Sequence, residues 1–173
     1  MSKEKHKQKH KPKRSKETLW WILATIVVVG IGYFALSAPK RPPSSITTRE
    51  VALTCTTDMA TVYHIHPTLA ISLNGVPYTI PANVGIKAGC MNSLHMHDST
   101  GLLHVESPEK RDFTLGDFFA VWDQPFSSTQ ILDQTVDDTH VIRVTVDGEP
   151  VETYENTILA DKDKIVISYE PKS

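Results

Sequence analysis

The amino-acid sequence predicts a mainly β fold: a β-sandwich or β-barrel-like exported domain with one short helix, preceded by a single transmembrane helix. Three observations predict it, namely one long apolar run near the N-terminus, two hairpin-turn signals and one short helical pattern. The length of 173 residues fits one domain with accessory segments. The predicted segments are a basic disordered cytoplasmic tail (1–18), a transmembrane signal-anchor helix (19–38), a proline-rich linker (39–49) and the exported β domain (50–173).

The charges are distributed unevenly along the chain. Residues 1–49 hold 11 of the 18 basic side chains and two acids, whereas residues 50–173 hold 7 basic and 18 acidic side chains. The basic run at 3–16 has no apolar periodicity, so we expect it to be disordered and attracted to anionic lipid headgroups. The acidic main domain repels polyanions, so we expect it not to bind nucleic acid. Nucleic-acid binding remains an alternative only for the basic tail.

The uncharged run from Leu19 to Leu36 predicts the membrane span. At about 1.5 Å per residue it approaches the ~30 Å thickness of the hydrocarbon core. Two tryptophans at one end and Tyr33 near the other match an interfacial aromatic belt, and the basic residues before the run favour a cytoplasmic N-terminus. A cleaved signal peptide is the competing interpretation, although the run is longer than a usual h-region. Both interpretations place the C-terminal domain outside the cytoplasm.

Two hairpins are predicted in the exported domain. Asn74-Gly75 tolerates the positive φ angles of a type I′ turn, and it places apolar residues opposite one another along 69–80. Asp147-Gly148 is the second turn signal, and the alternating segment 164–170 is the last predicted strand. These short strands favour a sandwich or a barrel.

The predicted helix follows Thr114, which is typical of an N-cap with an acidic first turn. Aromatic residues including Phe118 and Trp122 follow, and Pro125 ends the segment. We interpret these aromatics as core residues because they recur at helical spacing.

The histidines carry the chemical signal. Three residue pairs have the spacing i, i+2: His64 and His66, His95 and His97, and His104 and Glu106. Because side chains alternate along a strand, each pair points to one face, while neighbours such as Leu94 and Val105 point to the core. A turn at 98–101 places His95 opposite His104, close enough for two imidazoles to share a metal.

We therefore predict that these six residues hold a transition metal in a groove or on the surface. Imidazole and carboxylate ligands suit copper or zinc, the two metals that we expect outside the cytoplasm. A single histidine can instead be a solvated or hydrogen-bonded side chain with no role in metal binding. We interpret His140 in this way, because no histidine or glutamate lies two residues from it.

Cys55 and Cys90 are predicted to form a disulfide. They are the only two cysteines, and thiols outside the cytoplasm oxidise. Closing the loop of 34 intervening residues contributes roughly 3–4 kcal/mol in the chain-entropy treatment. The alternatives are a free thiol or a metal ligand, including a blue-copper site formed by Cys90 and His95. A blue-copper site is disfavoured because Met96, which would be its axial ligand, points away from the histidine face.

The motifs between Cys55 and Trp122 are YHIHP, LNGVPYTIPANVGI, C-x4-LHMHDSTGLLHVESP and FTLGDFFAVW. Together they resemble a group of membrane-anchored, exported proteins from archaea and bacteria, and the LHMHD…HVE segment is the most distinctive part. The resemblance implies export and anchoring but implies no activity. The doubled H-x-H is also similar to cupins, whose ligands come in a different order, so their oxygenase chemistry is not implied.

Three classes of function remain. The first is a membrane-tethered domain that binds copper or zinc for metal buffering, sensing or delivery. The second is a mononuclear metalloenzyme with an open ligand position and Glu106 or Asp98 as general base. The third is a non-metal protein-interaction domain. The sequence has no nucleophile elbow or phosphate loop, which favours a function other than catalysis.

Overall fold

The computed structural model describes residues 46–57 and 61–172. In this part of the chain the strands are β1 (Cys55–Thr56), β2 (Tyr63–Ile65), β3 (Thr68–Leu73), β4 (Val76–Tyr78), β5 (Ile86–Lys87), β6 (Cys90–Asn92), β7 (Leu94–His95), β8 (His104–Ser107), β9 (Gln130–Ile131), β10 (Gln134–Thr135), β11 (His140–Val146), β12 (Glu149–Val151) and β13 (Lys164–Pro171). The helices are α1 (Thr48–Leu53) and α2 (Leu115–Trp122), with a 3₁₀ turn at Tyr154–Asn156. The fold is mainly β, as predicted.

The predicted tail (1–18) and transmembrane helix (19–38) lie outside the described residues, as does most of the predicted linker. Neither α1 nor α2 has the length and apolar character that a bilayer crossing requires.

The largest sheet has five strands in the order β12-β11-β13-β3-β4. Its central pair, β13 and β3, is parallel, and the other pairs are antiparallel. Alternation along β13 buries Ile165, Ile167 and Tyr169 and exposes Val166 between them, as the sequence pattern predicts. The inner face of this sheet therefore forms one wall of the core.

Both predicted hairpins are confirmed. Asn74 and Gly75 have positive φ angles and join β3 to β4, and Asp147 and Gly148 do the same between β11 and β12. The pairing between β3 and β4 ends at Tyr78, which is exposed, as is Val76. Both side chains are exposed because β4 is the edge strand of the sheet.

A second sheet has three strands in the order β2-β8-β7, and two smaller sheets have the orders β1-β6-β5 and β10-β9. The three-stranded sheet sends Ile65, Leu94 and Val105 into the core that the five-stranded sheet also lines. This shared core is similar to that of a β-sandwich, in agreement with the predicted class.

Helix α2 begins after Thr114, as predicted. The Thr114 hydroxyl accepts from the Asp117 backbone N–H, and the Asp117 carboxylate accepts from the Thr114 N–H in return. Phe118 and Phe119 are fully buried, which confirms their interpretation as core residues. Asp123, in the left-handed conformation, ends the helix.

The prediction of a single helix is wrong for this part of the chain, because α1 is a second one. Thr47 and Glu50 form a capping box at its start, and this signal is visible in the sequence as Thr-x-x-Glu. The Arg49 guanidinium lies 2.9 Å from the buried Asp117 carboxylate and also donates to the Gly116 carbonyl. These contacts attach α1 to the first turn of α2.

The predicted disulfide between Cys55 and Cys90 is present, with the two Cα atoms 5.4 Å apart. It joins β1 to β6, which directly precedes β7 in the chain. The blue-copper interpretation of Cys90 is therefore wrong, because a disulfide sulfur offers no thiolate.

Candidate metal centre

The β2-β8-β7 sheet brings the three predicted pairs onto one face. His95 on β7 lies directly opposite His104 on β8, which is the register that the sequence predicts. On the other side of β8, His64 of β2 lies directly opposite Glu106. His66 follows two residues after His64, so it shares that face. Here "histidine cluster" denotes His64, His66, His95, His97 and His104 together with Glu106.

The segment between β7 and β8 is wider than a two-residue hairpin. Pairing of the two strands ends at His95 and His104, after which residues 101–103 turn towards 67–69. The Leu69 N–H donates to the Gly101 carbonyl, and the Leu103 N–H donates to the Pro67 carbonyl. A Cβ at Gly101 would lie 2.4 Å from the Leu69 carbonyl oxygen, so only glycine permits this approach. The separation of the two strands leaves room for the side chains of the cluster.

The other four imidazole rings of the cluster surround His104. Its ring centroid lies 4.7 Å from that of His97, 4.8 Å from His66, 5.3 Å from His95 and 5.8 Å from His64. Two sets of three residues each offer one ring nitrogen per residue within 4.8 Å of one another. We call His64, His66 and His104 the first triad, and His95, His97 and His104 the second triad. Either set could hold a metal ion.

His95 is the most buried member of the cluster, with no exposed surface. Its Nδ1 lies 3.0 Å from the Asn92 carbonyl oxygen, to which it donates because a carbonyl can only accept. The proton therefore resides on Nδ1, and Nε2 carries a lone pair. Nε2 is buried, and it has no hydrogen-bond partner among the described residues. The expectation of a groove or surface site is thus wrong for His95, because its strand neighbours Leu94 and Met96 are also fully buried.

Glu106, on the central strand β8, contacts two members of the first triad. Its Oε1 is 3.1 Å from His64 Nε2 and 3.9 Å from His104 Nδ1. His64 Nε2 lies 3.5 Å from His104 Nδ1. Two ligands of a tetrahedral zinc ion, each 2.0–2.1 Å from the metal, are about 3.4 Å apart. The ligand atoms of His64, His104 and Glu106, at separations of 3.1–3.9 Å, are therefore close to the spacing of a metal's ligand shell.

Electrostatics keep two of these imidazoles neutral. Burial lowers the pKa of His95, and the neighbouring imidazoles His97 and His64 lower it further. Burial also lowers the pKa of His104, as do the imidazoles around it. Neutral imidazole is the form that coordinates metals, so both groups are in the ligand form at neutral pH.

Three supports of the cluster are not predicted from the sequence. The Asn92 side chain donates to the Ala52 carbonyl, which holds the backbone that orients His95. The Asp161 carboxylate accepts from the His66 backbone N–H at 3.0 Å. Gly85 packs against β7, where an added Cβ would lie 2.3 Å from the Leu94 carbonyl oxygen. A carbonyl oxygen and a glycine carry no chemical signature in sequence, so no motif could have identified them.

Two other residues considered in the sequence lie apart from the metal-binding sets. The Asp98 carboxylate accepts from the Thr100 N–H and hydroxyl, which lowers its pKa and fixes the turn. His140 stacks on Tyr169 and lies 3.3 Å from the Asp137 carboxylate. Neither belongs to a group of three potential ligands among the residues that the structure describes.

Compared with protein-family models, with curated proteins and with solved structures, the chain has no match.

Proposed function

We propose that this chain is a membrane-tethered, extracytoplasmic protein that binds copper or zinc through the histidine cluster, for metal buffering, sensing or delivery. The observation that carries the proposal is the buried Nε2 of His95, which has no hydrogen-bond partner among the described residues and lies next to the imidazoles of His97 and His104. Leaving such a nitrogen without a partner inside a protein costs about 1–3 kcal/mol. A metal ion bound at Nε2 would offset that cost.

The arrangement around His95 supports the same role. Metal-ligating histidines almost always donate their second ring N–H to a carbonyl or a carboxylate, which fixes the tautomer and the ring orientation. The contact between His95 Nδ1 and the Asn92 carbonyl is of this kind. A histidine buried only for packing has no need of two imidazole neighbours, which here are His97 and His104.

Copper and zinc are the expected metals because the available ligands are imidazoles and one carboxylate. Among divalent ions, affinity for nitrogen ligands is highest for copper, with zinc below it. The tether and the outward orientation are supported by the uncharged run Leu19 to Leu36 and by the basic residues that precede it.

The test is a calorimetric titration of the full chain, purified in detergent, with copper(II) or zinc(II). Because His6 and His10 in the tail could also bind metal, both are replaced by alanine in every protein used. We expect binding tighter than about micromolar. His104→Ala removes the ligand that both triads share, and we expect it to weaken binding by at least about tenfold.

His140→Ala is the matched control, since it also removes an imidazole of the β domain but lies outside the cluster. It should bind metal as the parent protein does. Equal affinity of the His104→Ala and His140→Ala variants would contradict the proposal, as would a parent protein that binds neither metal.

A further inference from the structure

The histidine cluster has more donors than one ion can use. Zinc in protein sites almost always has four ligands, and here five imidazoles and one carboxylate lie on the same face. The five imidazoles divide into two triads that share His104, and Glu106 lies beside the first of them.

The first triad and the neighbouring Glu106 together offer four donors. His64 Nε2 is 3.5 Å from His104 Nδ1 and 3.1 Å from Glu106 Oε1, and His66 supplies the third imidazole. Three imidazoles and a carboxylate are a sufficient set for one divalent ion. Glu106 also brings a negative charge, which favours a cation next to it.

Glu106 is not a member of the second triad. His95 contributes the buried Nε2, and the exposed His97 follows two residues later, beyond the end of β7, with its ring centroid 5.0 Å away. Within the described residues the potential ligands of this set are imidazoles only. An ion held here would keep one position for water or a transferred ligand, as three-histidine sites do.

His104 can serve both triads because imidazole has two nitrogens on different edges of its ring. Its Nδ1 faces His64 and Glu106, so Nε2 is the nitrogen left for the second triad. We propose that the histidine cluster holds two divalent metal ions at once, joined through the ring of His104. This inference rests on the proposed function. Binding of the second ion displaces the remaining ring proton of His104 to solvent, and the charge of the two ions stabilises the deprotonated ring.

The stoichiometry of copper(II) binding tests the inference in the full chain with His6 and His10 replaced by alanine. We expect two equivalents for the parent protein. His97→Ala removes a ligand of the second triad only, and His66→Ala removes one of the first triad only, so each variant should retain one equivalent. His140→Ala should retain two.

Electron paramagnetic resonance provides the second measurement. Two copper(II) ions joined by one imidazole ring couple magnetically, so the signal per bound copper should be well below that of the His97→Ala variant. One equivalent in the parent protein would overturn the two-ion centre while leaving the proposed function intact. Two equivalents with full signal would overturn the shared His104. No binding at all would remove both proposals.

Discussion

The buried imidazole of His95 donates to the carbonyl oxygen of Asn92, 3.0 Å away, and Asn92 lies directly opposite Cys55 in the β1–β6 pair. The residue that orients the most buried member of the cluster therefore belongs to the strand that the disulfide holds. The disulfide holds β6, and the Asn92 carbonyl of β6 in turn holds the His95 ring.

This link gives a prediction for the disulfide. Replacing Cys55 and Cys90 together by serine should lower the free energy of unfolding by roughly 3–4 kcal/mol, because the unfolded chain regains the freedom that the closed loop removes. It should also weaken metal binding, since β6 is then held only by its hydrogen bonds. Urea unfolding followed by circular dichroism, and metal titration of the same samples, measure the two effects.

The control for that experiment is a reducing agent. Dithiothreitol should destabilise the parent protein towards the level of the serine variant and leave the serine variant unchanged. If the two proteins unfold at the same urea concentration without reductant, the disulfide does not stabilise this domain.

The second prediction concerns Gly85. Alanine at this position must adopt a φ of +74° and place its Cβ 2.3 Å from the Leu94 carbonyl and 3.1 Å from the His95 Cα atom. The left-handed backbone costs about 1–2 kcal/mol, and the displacement of β7 adds about 1–3 kcal/mol. We expect Gly85→Ala to lower both stability and metal affinity, as measured by thermal unfolding and titration.

Gly89→Ala is the matched control, because Gly89 has a φ of +86° but no atom within 4 Å of the added Cβ. It carries the backbone strain without the collision with β7. Equal losses in the two variants would show that contact with β7 is unimportant at Gly85.

The third prediction is the pH dependence of the metal-free protein. The pKa values of His95 and His104 are lowered in the folded state and return to about 6.5 on unfolding. The unfolded chain therefore binds more protons in acid, and stability should be highest above about pH 6.5 and fall as the pH decreases through that value towards the lowered pKa values. Urea unfolding at several pH values with a chelator present measures this.

His95→Asn identifies the group responsible. Asparagine can still donate to the Asn92 carbonyl but has no proton to gain in this range. The stability of this variant should depend less steeply on pH below 6.5 than that of the parent protein. An unchanged slope would mean that His95 makes no contribution to the acid sensitivity.

The fourth prediction is the orientation in the membrane. Protease added to intact cells should remove the C-terminal domain and spare the basic tail at 3–16, because the charge bias across 19–36 favours a cytoplasmic N-terminus. Immunoblots against tags at the two ends of the chain measure it. Protection of the C-terminal tag until the cells are lysed would contradict this orientation.

Periodicity and turn chemistry explain how much of the site could be predicted. The i, i+2 spacing determines which side chains share a face, and the turn signal determines that His95 lies opposite His104. The position of β2 next to β8 could not be predicted, because those strands are about forty residues apart and the hydrophobic patterns of several other strands would pair equally well. The burial of the His95 side chain depends on which elements pack over β7. That packing is part of the tertiary structure and is not encoded in the local sequence.

The same distinction applies to the fold. The hairpins and α2 are encoded by local signals, so they could be located from short segments. Helix α1 has a local signal in its capping box, but its six residues are too few for a periodic pattern. No tight turn joins β3 to β13, because the two strands are parallel and far apart in the chain. Their pairing could therefore not be predicted from a local turn motif.

That parallel pair has a consequence for the biogenesis of the protein. Strand β13 occupies the middle of the five-stranded sheet, yet it is made about a hundred residues after its partner β3. Until β13 has been synthesised, β3 has a free hydrogen-bonding edge beside an apolar face, which other chains can join. The five-stranded sheet can therefore form only after the last strand has been made, and a chain interrupted before Lys164 is expected to aggregate or be degraded.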